Sequence, residues 1–278
     1  MKMRVALLAV LFQISLVVST SADTGKVPDW KIVKIENGWQ LLKDGEPFYL
    51  KGAVAPNRFD VVKQCGGNTV RTTAAKWSLD EAERQGIFIM GNLPVKAERS
   101  GMDWADDVQF EEQKRNILKI VEELKDHPAL LFWSVGNELD YTPGAGGKYS
   151  PRLWQRLNAI ALAIKEIDPN HPVMTVVGTG GFEEKVQRIA EECPAMDLLG
   201  INCYGDIDKV TELARRYWPK PYALTEWGPT GHWQVPRTKW GVPIEQTSSE
   251  KADVIGSRYT DVILADTTNC IGSYVFYW

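Results

Sequence analysis

The sequence predicts an α/β chain folded as a (β/α)8 barrel behind a short N-terminal β-hairpin. Three observations carry that reading. Eight short apolar runs recur from Phe48 to the last residues, each bounded by turn signals. The gaps between them hold segments with helical periodicity, so strand and helix alternate. The rival architecture, an open doubly wound sheet, would usually carry a Gly-rich phosphate loop after its first strand. Here that loop is Val54-Ala55-Pro56-Asn57-Arg58.

Taken in order, the chain begins like a secretory leader. Lys2 and Arg4 precede an apolar stretch from Val5 to Val18, and Ser19-Thr20-Ser21-Ala22 supplies small residues for cleavage after Ala22. The expectation is a signal peptide over residues 1–22 and one barrel domain over 23–278, secreted to a periplasmic or extracellular space. A retained N-terminal anchor is the alternative. The apolar stretch is short and interrupted by Gln13 and Ser15, which argues against a stable membrane span. After a polar segment, Lys31 to Leu50 reads as a hairpin, with Asp44-Gly45 as its turn and Trp39, Leu41 and Phe48 as apolar positions.

The eight predicted strands are Phe48–Ala53, Asn68–Thr72, Ile87–Gly91, Leu130–Val135, Val173–Val177, Leu198–Asn202, Tyr222–Thr225 and Ile271–Tyr277. Ile117, Ile120, Val121 and Leu124 fall on one face of a helix, as do Leu153, Leu157, Ile160, Ala161 and Ile164. Ser78 with Glu81, and Thr247 with Glu250, match capping boxes and are expected to start helices. Asp168-Pro169-Asn170 and the Trp218-Pro219-Lys220-Pro221 run end helices ahead of new strands. No helix follows the eighth strand before Trp278. The expectation is that the sequence is truncated or that another element, such as the hairpin, covers that side.

Composition narrows the partners. With 278 residues, 44% of them hydrophobic and 24% charged, the chain has ample material for a core. The net charge of −4 becomes about −6 once Lys2 and Arg4 leave, and without a basic block this argues against nucleic acid. Cys65, Cys193, Cys203 and Cys270 show no close spacing, and the three histidines are scattered. Metal binding is therefore not expected. Buried thiols and one disulfide both remain open for the cysteines.

Chemistry enters at two strand ends. Ala129 to Trp133 is an apolar run of the kind a doubly buried strand shows, and it leads through Gly136 to Asn137, Glu138 and Asp140. Tyr222-Ala223-Leu224-Thr225-Glu226-Trp227-Gly228 repeats the grammar. A parallel barrel places its chemistry at the carboxyl ends of its strands. Two carboxylates brought together from separate strand ends are the minimum equipment for glycoside hydrolysis. The eleven tryptophans include Trp77, Trp104, Trp227, Trp233 and Trp240 in predicted loops above the barrel, where one or two are expected to contact sugar. His232, in the long loop after Glu226, reads as a surface histidine.

Five stretches together carry a family resemblance. They are Asn68-Thr69-Val70-Arg71, His127 through Glu138, Asp197 through Tyr204, Thr225-Glu226-Trp227-Gly228 and the closing Trp278. In this order the sequence resembles clan A glycoside hydrolases, retaining enzymes on (β/α)8 barrels, over roughly residues 38 to 278. It looks closest to the barrel domain of family two, the group of β-galactosidases, β-glucuronidases and β-mannosidases. The resemblance implies Glu138 as general acid/base and Glu226 as nucleophile. It implies Arg71 and Tyr204 as partners holding Glu226 as an anion, Asn137 as the grip on the sugar 2-hydroxyl, and Trp278 as the floor of the reacting subsite. The acid must keep its proton near working pH, so a raised pKa is expected of it.

Each residue also has a structural reading: Glu138 at a helix N-terminus, Glu226 and Arg71 in an ion pair, Tyr204 and Trp278 as ordinary aromatics. The chain departs from the resemblance in three places. Only a hairpin precedes the barrel where family two carries β-sandwich domains. Asn202 stands where some relatives have His, and Asn92 to Lys96 lacks the His or Asp that several relatives place there. The functional expectation is a retaining hydrolase of β-linked oligo- or polysaccharide, a reading that needs no cofactor. A transglycosylase using the same glutamates, or a barrel that binds carbohydrate without catalysis, are its rivals.

Overall fold

The computed structural model describes residues 25–141 and 149–277. The expected signal peptide and Trp278 lie outside them. The described chain enters through a three-stranded antiparallel sheet, β1 (Trp30–Ile35), β2 (Gly38–Lys43) and β3 (Glu46–Pro47). The sequence predicts one hairpin here, but two tight turns occur. Glu36-Asn37 joins β1 to β2, with Ile35 opposite Gly38. Asp44-Gly45 joins β2 to β3 with φ of 51° and 86°, the left-handed pair that a two-residue hairpin turn demands.

Eight parallel strands then close into a barrel: β4 (Leu50–Val54), β5 (Thr69–Thr73), β6 (Phe88–Leu93), β7 (Leu130–Asn137), β8 (Val173–Gly178), β9 (Leu198–Asn202), β10 (Tyr222–Trp227) and β11 (Cys270–Val275). All eight predicted strands are present within a few residues. β11 seals against β4, with Gly272 opposite Leu50 and Val275 opposite Ala53. Among the described residues seven α-helices fill the crossings: α1 (Phe59–Gln64), α2 (Lys76–Gln85), α3 (Asp107–Leu124), α4 (Leu153–Ile167), α5 (Phe182–Glu192), α6 (Ile207–Tyr217) and α7 (Ser248–Arg258). α7 runs on into a π-helical turn over Tyr259–Ile263.

The apolar periodicities meet two different layers. Ile117, Val121 and Leu124 of α3, and Leu153, Leu157, Ile160, Ala161 and Ile164 of α4, are buried in the outer layer between helices and strands. A second cluster lies inside, where Phe132, Met174, Leu198 and Tyr274 pack together with Trp30 and Leu41 of the N-terminal sheet. That sheet therefore covers the lower mouth of the barrel, at the N-terminal ends of the strands. Trp30 Nε1 donates to Leu130 O at 3.0 Å, and its ring meets Phe48 and Phe88 edge-on at 5.2 and 5.0 Å. Trp39 N donates to Thr268 O just before β11.

The helix starts split the two predicted capping boxes. Thr247 and Glu250 form a reciprocal box at α7. Ser78 does not cap: α2 already begins at Lys76, and Ser78 Oγ donates to Thr73 O and Ala75 O, both at 2.8 Å. Glu81 points instead to Arg84 and Gln85. A serine one turn inside a helix reads like a cap from spacing alone, yet its hydroxyl serves carbonyls behind it. All four cysteines are free thiols; Cys65 is exposed and the other three are buried. Among the described residues no helix is long and apolar enough to cross a membrane.

Candidate active site

Both strands that end in a predicted catalytic glutamate are bulged just before it. On β7 the pairing with β8 slips between Ser134, opposite Met174, and Asn137, opposite Val176. On β10 the pairing with β9 slips between Leu224, opposite Ile201, and Glu226, opposite Asn202. Each slip inserts one extra residue, which re-aims the side chains that follow. Gly136 makes the first bulge possible. Its φ is 86°, and a Cβ there would come within 2.4 Å of Leu139 Cδ1. Glu138 follows with a left-handed φ of 48°, its N–H given to Val176 O at 2.8 Å.

The upper mouth gathers five of the six predicted site residues; Trp278 lies outside the described residues. Arg71, midway along β5 and 3% exposed, is the hub. Its Nη1 donates to Glu226 Oε1 at 2.9 Å and Thr225 O at 3.0 Å, and Nη2 donates to Asn137 Oδ1 at 2.6 Å. Tyr204 OH donates to Glu226 Oε2 at 3.0 Å, so both oxygens of that carboxyl are held. Glu138 is held differently. Asn202 Nδ2 donates to its Oε1 at 2.8 Å, and among the described residues nothing bonds its Oε2.

Asn202 is a site residue that sequence reasoning noticed only as a departure. Its Nδ2 also donates to Asn137 Oδ1 at 3.0 Å, while its Oδ1 accepts from Thr225 Oγ1 at 2.9 Å and Arg71 Nη1 at 3.3 Å. The amide therefore uses its full donor capacity, and it ties β7, β9, β10 and β5 into one network. Asn92, at the end of β6, accepts from Arg71 Nε at 3.4 Å. Gly178 leaves room for Glu138, since a Cβ there would lie 3.1 Å from Glu138 Oε1.

Electrostatics place Glu226 under opposing pressures. Burial pushes its carboxyl above the usual range, and the Glu138 charge adds to that push. The Arg71 guanidinium and the Tyr204 hydroxyl work the other way. Burial and the adjoining Glu226 raise the Tyr204 phenol far above its ordinary value, which keeps it a neutral donor.

The predicted loop tryptophans divide. Trp104 and Trp227 are buried, the latter at the end of β10 and stacked on Tyr259 at 6.0 Å. Trp77 lies in α2 and is exposed, not in a loop. Trp240 and Trp233 are exposed in the loop after β10. Only Trp233 packs against a site residue, its ring 5.2 Å from that of Tyr204 and 54% exposed. His232 is exposed beside it.

The chain is similar to known proteins. The model of the glycosyl hydrolases family 2 TIM barrel domain matches residues 57–232, a span containing Arg71, Asn137, Glu138, Tyr204 and Glu226. The chain belongs to that family. Within family 2 it is similar to the beta-glucuronidase of Chlorocebus aethiops, 23% identical over 59% of this chain and 26% of the relative. The beta-glucuronidase of Paenibacillus borealis is 24% identical over 52% of this chain and 28% of its own length. The chain thus spans about a quarter of the length of the curated relatives it matches. Among solved structures, the beta-D-glucuronidase of Dictyoglomus thermophilum superposes with a TM-score of 0.61 at 18% identity, covering 89% of this chain and 46% of that one. A beta-galacturonidase of Eisenbergiella tayi bound to galacturonate gives 0.65 at 16% identity, covering 90% and 47%. At such identities the superpositions speak for the fold alone.

Proposed function

We propose that this chain is the catalytic barrel of a secreted retaining β-glycosidase that cleaves β-linked oligo- or polysaccharide by double displacement. The observation that carries this reading is the unequal clothing of the two glutamates. Both oxygens of Glu226 accept from Arg71 and Tyr204, which suits a carboxylate that attacks as an anion. Glu138 accepts only a neutral amide on one oxygen and keeps the other free of protein partners among the described residues, which suits a group that passes a proton.

In the first step a Glu226 oxygen bonds to the anomeric carbon as the leaving oxygen departs with the proton from Glu138. A glycosyl ester remains. In the second, Glu138 takes a proton from water, the water oxygen bonds to the anomeric carbon, and the ester bond to Glu226 breaks. Asn137 Oδ1 already accepts two hydrogen bonds, so its amide hydrogens are the part left to meet the sugar 2-hydroxyl. Trp233, held at the rim against Tyr204 and half in solvent, offers a flat apolar face for a further ring.

The test is sugar release from a panel of β-glucans, mannans, xylan and galactans, with aryl β-glucuronides and β-galactosides alongside. Glu226→Gln is expected to abolish release. Glu226→Gly is expected to turn over an activated glycoside with azide and give product of inverted configuration. Retained configuration in that product would assign the nucleophile elsewhere, and longer oligosaccharides in place of new reducing ends would make the enzyme a transglycosylase.

A further inference from the structure

We propose that Arg99, a surface arginine outside the carboxylate network, is a positioning residue that sets the aim of Glu138. This rests on the reading of Glu138 as the acid. Arg99 lies in a 3-10 turn, Glu98–Ser100, between β6 and α3. Its guanidinium captures three backbone carbonyls from the end of β7 and the turn beyond: Nη2 donates to Asn137 O at 3.0 Å, and Nη1 donates to Glu138 O and to Tyr141 O, the latter at 3.1 Å. Two of these belong to the site residues themselves. The planar fork of an arginine can hold several acceptors in a fixed relation, which an ammonium point charge does not.

The turn it grips needs holding. Glu138 carries a side chain yet sits at φ 48°, a region that residues with a Cβ enter at a steric cost. Its side chain has a single protein partner among the described residues, Asn202, so its direction follows from its backbone. The neighbouring Glu98 accepts from Ser150 N at 2.9 Å, so one short turn grips the chain on both flanks of residues 142–148. On the other side, Lys185 pairs with Asp140 at 2.5 Å and donates to Gly178 O at 2.8 Å. That contact braces the same turn from its other flank. The Glu138 carbonyl also accepts from Tyr141 N at 3.1 Å, and Arg99 adds a side-chain donor to that carbonyl and to the carbonyl of Asn137. Without Arg99 the left-handed turn relaxes and the Glu138 carboxyl no longer meets the leaving oxygen squarely.

Leaving groups of different acidity separate aim from fold. A 2,4-dinitrophenyl glycoside leaves without protonation, whereas a phenyl glycoside needs the acid. The comparison is kcat/KM for wild type, Arg99→Ala and Arg99→Lys on both aryl glycosides, prepared as β-glucuronides and β-galactosides. Arg99→Ala is expected to lose roughly 10- to 100-fold on the phenyl glycoside, the size of effect that misplacement brings. On the dinitrophenyl glycoside the loss is expected to stay below about 3-fold, since no proton transfer is required. Arg99→Lys restores part of the phenyl activity. The ratio of the two substrates is internal to each variant, so a partly unfolded preparation leaves it unchanged. Equal losses on both substrates, or none on either, overturn the proposal. A wild type that turns over no aryl glycoside and no polymer overturns the hydrolase reading instead, and the role of Arg99 falls with it.

Discussion

At the scale of single residues, the site depends on where hydrogen bonds stop. Glu226 is pushed up by burial and by Glu138, and is restrained by Arg71 and Tyr204. In the proposed mechanism its anion is the attacking form, so activity should fall as pH drops through a value above the ordinary carboxylate range. Tyr204→Phe removes one stabiliser of that anion, which raises the value further. The acid limb of kcat/KM should therefore move to higher pH, and the plateau should fall by roughly 10- to 100-fold, as expected for a hydrogen bond to a charged group. A limb that stays in place, or moves down, would show that Tyr204 does not restrain Glu226. That the glutamates, Arg71, Asn137 and Tyr204 come together was legible in the sequence, because each lies in or beside a recognisable strand and falls within the stretches that carry the family resemblance. Asn202 also lies in one, but an asparagine side chain carries no charge pattern to reveal that it bonds four groups at once. Arg99 was illegible for a different reason: its partners are carbonyls, which every residue has.

At the scale of elements, the barrel was legible because burial on both faces makes each strand an unbroken apolar run, while each helix keeps one apolar stripe. The bulges ahead of Glu138 and Glu226 were not, since one extra residue leaves composition and length unchanged. Nor was the placement of the N-terminal sheet, which depends on where Trp30 finds a carbonyl and two aromatic rings. That contact is open to test. Trp30→Ala should destabilise the protein by about 3–5 kcal/mol, the usual cost of emptying a buried tryptophan site. Urea denaturation measures it. Because the sheet lies at the mouth opposite the glutamates, kcat of the folded protein should stay within about 2-fold of wild type, as for changes remote from the chemistry. A large fall in kcat with little loss of stability would contradict the separation of the two mouths.

At the scale of the whole molecule, buried carboxyls set the response to acid. Burial works to raise Asp168 and Asp266, yet hydrogen bonds outweigh it and hold both below the usual value. Asp168 is bonded by His171 and Trp133, and Asp266 by Tyr222, Asn269 and Thr268. A carboxyl with a lowered folded pKa contributes stability above its unfolded pKa and loses it as pH falls through the folded one. Glu226, shifted upward, has the opposite sign and releases strain as it protonates. The melting temperature should therefore change little between about pH 7 and 5 and fall steeply below about pH 4. Asp266→Asn should flatten that fall, and an unchanged slope would remove Asp266 from the account. A last consequence concerns the one thiol that faces solvent. α1 descends from the end of β4 toward the start of β5, which leaves Cys65 at the end of the molecule away from the glutamates. A bead, dye or second copy coupled through that sulfur would hang from the base of the barrel, and the mouth that holds the glutamates would stay clear.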